Sequence, residues 1–405
     1  MDDYPEDFLG PTGEDWRVPV SELSSRQECL VKALQTENYA AVLIQNPVDL
    51  YYFTGTRQNA SFYCSEDGDR RLYVRRSLSR AIHESGGDDA PHEVVPFPRS
   101  KEFSSNLPHT PALQFGAIPH QFGAWFSQLL GTDSDCTSLV HRLRETKSDW
   151  EISMMKEAAK VQSLMFDAVE QTGKEGITEL ELVAEAEKVS RELGFGGNVQ
   201  MRRFPLQCDR GVIVAGRNGG IPSFFDSAVG GSGPHPQSSM GSGFQKIKRN
   251  EPVLVDLVHM HRGYVIDATR MFALGGLSSD WEEKLDHMKE ISDAVVSSLE
   301  GGISCSDTWI TGYKLAEEYG YGGNLMGIKP DQSKFLGHSV GLELDESPVV
   351  AHGFDRPLPL GGTMAIEPKL IYANGSIGLE DTWVRTEDGM KQLSTSGHAD
   401  TVRCF

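Results

Sequence analysis

Two domains of different class are predicted: an α/β domain over residues 23–148 and an α+β domain over residues 149–405, behind an irregular arm of residues 1–22. Three observations carry this. Helix-like and strand-like periods alternate up to about residue 148, long capped helices and hairpin-like strand pairs segregate after it, and a chain of 405 residues exceeds one core at roughly 150 residues per domain.

Taken in order, residues 1–22 mix Asp, Pro, Gly and Glu without periodicity. A polar helix ends near Asn38, Tyr39–Ile44 is a short apolar strand, and Asn46-Pro47 reads as a turn. A second strand, Arg71–Arg75, follows the Glu66–Asp69 turn, with a helix behind it. Ser148-Asp-Trp-Glu151 is a capping box, in which the serine hydroxyl and the glutamate carboxylate satisfy amides left free at a helix start, and an amphipathic helix runs from it to about Thr172. Thr178-Glu-Leu-Glu181 opens another helix in the same way, with Gly194 placed to end it; a third starts at Ser279-Asp-Trp-Glu282 and stops before Gly301-Gly302. Between them lie strand-like runs at Val212–Ala215, Val253–Val258, Tyr264–Phe272 and Thr363–Glu367. The Gly/Ser/Pro-rich stretch from Gly230 to Gly243 reads as a loop close to whatever the strands carry.

Composition narrows the function. With 58 acidic against 38 basic side chains, the net charge of −20 is wrong for a protein that neutralises a nucleic-acid backbone. Apolar residues at 39% and charged ones at 24% are ordinary globular values. No apolar run approaches the roughly 18 residues of a membrane span, and MDDYPEDF is acidic where a secretory signal is basic, so a cytoplasmic location is expected. The six cysteines form no CxxC pair and read as reduced thiols, each a small buried residue.

The strongest signal is acid inside strands. Asp256 sits in Val-Leu-Val-Asp-Leu-Val and Asp267 in Tyr-Val-Ile-Asp-Ala-Thr, where an ionised side chain is costly unless something positive faces it. With His261-Arg262 as the hairpin turn, the two aspartates pair directly, their Cβ atoms about 5 Å apart. One pKa is then driven up unless a cation lies between them. Glu367 and Glu380 repeat the device around the turn dipeptide Asn374-Gly375, on one face and diagonally placed, with Pro368 forcing an edge or a bulge. His338, flanked by Gly337 ahead of a strand-like run, completes a set of four carboxylates and one imidazole that suits two first-row divalent ions.

These residues resemble the creatinase/aminopeptidase P superfamily, the pita-bread metallohydrolases that include prolidases and methionine aminopeptidases. The resemblance covers nearly the whole chain: Asn46-Pro-Val-Asp-Leu-Tyr-Tyr-Phe-Thr-Gly-Thr-Arg57 is similar to the creatinase-type first domain, and DLx9D, GHSVGLELDE, AIEPK and GLED follow in the family's order. It implies an α/β creatinase-like domain followed by an α+β pita-bread catalytic domain, and two divalent ions, Mn, Co, Zn or Fe. Asp256 would chelate one ion, Asp267 and Glu380 bridge both, and His338 and Glu367 complete the other. It further implies a hydroxide generated between the ions, Glu367 as the catalytic proton shuttle, a peptide substrate with proline second, and a homodimer.

The chain departs from the peptidase pattern around the substrate. Asp345 and Lys334 stand where histidines are common, and Ser223 replaces the histidine of a Pro-His pair, with His235 in Gly-Pro-His-Pro as its nearest substitute. Ser223, His235, Asp345 and His352 are the candidate substrate contacts, and Ile221–Phe225 and the loop around His235 the candidate pocket walls. Because these changes spare the metal ligands, non-peptide substrates of creatinase-like hydrolases and sulfonium-compound lyases stay open, as does an inactive binding protein on the same fold. His259 and His261 at the hairpin turn read as surface residues, and Arg270, an odd step from Asp267, lies on the other strand face and can pair with acids behind the site.

Overall fold

The computed structural model describes residues 8–204, 208–397, 399 and 401–405. The first seven residues of the expected arm lie outside these. The chain forms two compact units, Met1–Arg144 and Glu145–Phe405. Among the described residues, no helix is long and apolar enough to cross a membrane.

In the first unit a mixed five-stranded sheet runs in the order Glu93–Pro96, Arg70–Val74, Ala60–Ser65, Ala41–Ile44, Ala112–Leu113. Leu43, Tyr63, Phe103, Leu113 and Phe126 close over it as a core. The helix Val20–Glu37 starts inside the expected arm and ends at Asn38, whose φ of 58° gives the left-handed cap. The expected turn at Asn46-Pro47 is instead a helix start. The Asn46 side chain accepts the Val48 N–H at 2.8 Å, and Pro47 takes the first helical position of Pro47–Thr54, where its missing N–H costs nothing.

The second unit is α+β. Its four-stranded sheet runs Arg403–Cys404, Tyr264–Ala273, Val253–His261, Gly211–Ala215. A five-stranded sheet runs Glu346–Ala351, Phe335–Ser339, Thr363–Ile366, Asp381–Thr386, Gly389–Gln392, and Lys369–Tyr372 pairs with Gly375–Gly378. Helices Asp149–Thr172 and Glu179–Glu192 both begin with complete capping boxes. Helix Ser279–Glu300 is preceded by Ser278.

The two faces of the central hairpin explain where the site lies. Val253, Val255, Leu257, Ala268 and Phe272 pack on Met165, Phe166 and Leu182 of the first two helices. Leu254 and Met271 face the other way, toward Met288, Ile291 and Leu336. Side chains alternate along a strand, so Asp256, Asp267 and Thr269 share the second face and Arg270 the first. The register differs from the expected one by two residues. His261 pairs with Tyr264, and the turn is Arg262-Gly263 with φ of 49° and 90°, the doubly left-handed geometry of a two-residue hairpin. Asp256 therefore faces Thr269, and Asp267 faces Val258, so the aspartates are diagonal neighbours on one face and not a direct pair.

Candidate metal centre

Three separate chain segments deliver acids to that face. Thr269 and Glu380 exchange backbone hydrogen bonds, and the Thr269 hydroxyl donates to Glu380 Oε2 at 2.9 Å. The Thr382 hydroxyl binds the backbone of Asp267 from both sides, which fixes that residue's height in the sheet. The expected hairpin turn at Asn374-Gly375 falls one residue earlier, on Ala373-Asn374, since Tyr372 pairs with Gly375. Continuing the Lys369–Gly378 ladder outward sets Glu367 directly opposite Glu380. Pro368 breaks the strand there, between Thr363–Ile366 and Lys369–Tyr372.

His338 arrives from Phe335–Ser339, where it pairs with Ala365. Gly337 makes this possible: a Cβ at that position would stand 2.4 Å from the Ala365 carbonyl oxygen. The close approach puts His338 Nε2 at 3.3 Å from Glu367 Oε1 and 4.0 Å from Asp267 Oδ2. Donor atoms of Asp267, His338 and Glu380 all lie within 4.8 Å of one another.

A residue that sequence reasoning missed sits among the acids. Lys369 is completely buried, and its Nζ donates to Glu367 Oε2 at 2.6 Å and Glu380 Oε2 at 2.9 Å, with Asp256 Oδ2 at 3.8 Å. The available signal was its spacing: a cation two residues after Glu367 inside the apolar run Lys-Leu-Ile-Tyr. The electrostatics divide accordingly. Burial, reinforced by Glu380 and Asp256, drives the Asp267 carboxyl far above its ordinary range. Burial raises Asp256 and lifts Glu380 to about 7, with Lys369 opposing both. Burial also acts upward on Glu367, but Lys369 and His338 outweigh it and hold that carboxyl at about 2. For His338, burial acts downward and the bond to Glu367 outweighs it, raising the imidazole.

The donor set fits a divalent ion on one side. Asp267 Oδ1 and Glu380 Oε1 are buried without a hydrogen-bond partner, a cost of about 1–3 kcal/mol each that a cation would remove. With His338 Nε2 and Glu367 Oε1 beside them, they make a nitrogen-and-oxygen set suited to a first-row metal. On the Asp256 side the cation facing the carboxylates is Lys369.

The centre forms the floor of a cavity of about 340 Å³ walled by Phe225, Val229, Met240, Leu344 and Phe354. Of the expected substrate contacts, Asp345 lines it, but its carboxylate accepts the backbone N–H groups of Arg202 at 2.6 Å and Arg203 at 3.0 Å. It holds the 202–203 segment against the cavity. Lys334 lines the cavity too. Ser223 lies in a separate small cavity with Ile221 and Pro222, and Phe225 borders both. His235 and His352 are exposed and outside the cavity. Arg202, Arg203 and Cys208 are wall residues that sequence reasoning missed.

The expectation that His259 is a surface residue fails. It is fully buried against Phe195, its Nδ1 2.9 Å from the Ser190 hydroxyl, because the strand runs on past Val258 under the helix Glu179–Glu192. Arg270 is buried and paired with Asp381 at 2.6 Å, behind the site. All six cysteines are free; Cys64, Cys136 and Cys305 are buried, whereas Cys29 and Cys404 are exposed and Cys208 is intermediate.

Carboxylates and one imidazole converging under a cavity in an α+β unit, which follows a creatinase-like α/β unit in the sequence, define a metal-dependent hydrolase of pita-bread architecture. Residues 153–387 match the model of metallopeptidase family M24, and residues 26–157 that of the creatinase/prolidase N-terminal domain. The chain belongs to metallopeptidase family M24. It is 24% identical to an Xaa-Pro dipeptidase of Pyrococcus furiosus over 377 residues, 92% of this chain and 98% of that protein. Among solved structures it resembles an X-Pro aminopeptidase from Thermotoga maritima, with a TM-score of 0.75 at 20% identity over 92% of this chain and all of the other. An Xaa-Pro dipeptidase from Bacillus anthracis gives 0.77 at 19% identity, over 95% of this chain and all of the other.

Proposed function

We propose that the chain hydrolyses small peptides with proline in the second position, at a centre where Asp267, His338, Glu380 and Glu367 hold a divalent ion of the Mn, Co, Zn and Fe group. The observation that carries this is the pair of unpartnered buried oxygens, on Asp267 and Glu380, beside His338 on the cavity floor. When bound, such an ion supplies Lewis acidity toward a carbonyl and a water acidic enough to deprotonate near neutral pH. The remaining work falls to the chain. Glu367, kept ionised by Lys369, accepts the proton of the attacking water at a carboxylate oxygen and returns it to the departing nitrogen. Phe225, Val229, Met240 and Leu344 give a pyrrolidine ring an apolar wall that also excludes water from the reacting bond. Lys334 at the same cavity offers positive charge to a substrate carboxylate, whereas the Arg203 guanidinium is paired with Asp226 at 2.9 Å and Asp345 at 3.3 Å. A homodimer and a cytoplasmic location belong to the same proposal.

A second reading has one observation in its favour. Where an imidazole donor is expected, Asp345 is an acceptor already occupied by backbone amides, which favours a substrate that needs no donor there. The test is a metal-reconstituted screen of Xaa-Pro dipeptides and longer Xaa-Pro peptides against creatine-like and sulfonium compounds. Proline-peptide cleavage that falls by about 100-fold or more in Glu367→Gln supports the peptidase; turnover of the other compounds alone overturns it.

A further inference from the structure

The two-ion centre expected from the sequence requires every face of the acid cluster to be available to metal. The structure divides the cluster. On one side Asp267 Oδ1 and Glu380 Oε1 are buried and unpartnered, next to His338. On the other, Glu367 Oε2, Glu380 Oε2 and Asp256 Oδ2 surround the Lys369 ammonium at 2.6, 2.9 and 3.8 Å. Glu367 and Glu380 each turn one oxygen to each side.

The path of the lysine is built into the chain. Lys369 pairs across its hairpin with Gly378, and a Cβ on Gly378 would stand 2.7 Å from Lys369 Cγ and 2.5 Å from the Pro368 carbonyl oxygen. Any larger residue opposite would collide with the stem that carries the ammonium inward. The backbone is pinned as well, with the Met326 N–H donating to the Lys369 carbonyl at 2.8 Å. The side chain has no exposed surface, so moving the ammonium out to admit an ion would strand or repack a buried four-carbon stem.

We infer that the Lys369 ammonium is a permanent internal cation in place of a second metal, and that the chain binds a single divalent ion on Asp267, His338, Glu380 and Glu367. Asp256 then acts as a partner of Lys369 and not as a metal ligand. Charge favours this count. Four carboxylates facing one ammonium and one dication leave a single negative charge, whereas a second dication would make the same buried cluster positive and press it against the ammonium.

This rests on the proposed metal site but not on its substrate, so it is tested by stoichiometry. Full-length protein is loaded with Mn²⁺, freed of excess ion, and measured by elemental analysis and by electron paramagnetic resonance. The expected result is one Mn²⁺ per chain with the spectrum of an isolated ion. Lys369→Gly, which opens the space beside Asp256, should bind two and give the spectrum of a coupled pair; Lys369→Arg should stay at one. Two ions in the wild-type chain, or none, overturns the inference. So does a well-folded Lys369→Gly that still binds one. Should Lys369→Gly fail to fold, the wild-type count and its spectrum decide alone. One ion bound with no proline-peptide cleavage would refute the substrate assignment and leave this inference standing.

Discussion

Arg270 gives the sharpest structural prediction, because it is fully buried and each bond it makes is to the framework behind the metal ligands. Its Nη2 pairs with Asp381 at 2.6 Å, and its Nη1 donates to the carbonyls of Thr269 at 2.9 Å and Glu380 at 2.8 Å. Arg270→Met keeps much of the stem and removes the charge. It leaves Asp381 as an uncompensated buried carboxylate, for which about 3–5 kcal/mol of destabilisation is the usual size. The carbonyls of Thr269 and Glu380 keep each other's backbone N–H as donor, so the stranded carboxylate sets the expected loss, about 3–5 kcal/mol. Equilibrium urea unfolding, followed by tryptophan fluorescence, reads it as a fall in the midpoint of the transition of residues 145–405. The double variant Arg270→Met with Asp381→Leu isolates the charge effect. The stranded carboxylate is gone in it, so it should recover about 1–3 kcal/mol. A loss below about 1 kcal/mol in Arg270→Met, or a double variant no more stable than the single one, would refute this account of why an arginine is buried there.

Two further predictions concern His259, on the helix-packed face of the hairpin, and Asp345, at the cavity wall. Burial holds the His259 imidazole at about 4, below its value near 6.5 in an unfolded chain, so the unfolded state binds the extra proton between those values. The contribution is therefore intact above about pH 6.5 and lost as pH falls toward 4, by about 3 kcal/mol, and the wild-type midpoint should drop more steeply over that window than the His259→Gln midpoint; parallel curves would refute it. Asp345→Ala releases the amides of Arg202 and Arg203 from the cavity wall, so KM should rise by about tenfold with kcat changed less than about threefold, and an equal fall in kcat would instead put Asp345 in the transition state.

What the sequence made legible follows the strength of its local signals. Capping boxes at Ser148 and Thr178 locate two helix starts to the residue because both hydrogen bonds of each box are made. The strand faces were equally readable, since acids at even spacing can change register by two without changing face. The register itself was not, because the turn was set at His261-Arg262; a doubly left-handed turn wants glycine in its second position, which Gly263 supplies. Asn46-Pro47 suits a turn and a helix start equally, and only Asp49 and the apolar residues beyond it tip the balance. His259 was misread for a longer-range reason. Its burial depends on Ser190 and Phe195, which lie in another element and send no local signal.

Lys369 is a different kind of omission, and it bears on how such centres are read. The acids were found by asking what positive charge justifies carboxylates in strands, and metal was the answer supplied. The same question asked of Lys369, a cation in an apolar strand two residues after Glu367, has the reciprocal answer, because a buried ammonium needs carboxylates as much as they need it. A ligand list read from spacing counts acids and assigns all of them to ions. Under the single-ion inference, part of that capacity goes to Lys369, and the remainder, two oxygens and an imidazole nitrogen beside Glu367, serves one metal. A covalently attached cation cannot dissociate or be exchanged. It fixes the orientation of Glu367 and Glu380 before any ion arrives, so the chain should hold its metal-binding geometry without metal to a degree that a cluster of bare acids, repelling one another, could not.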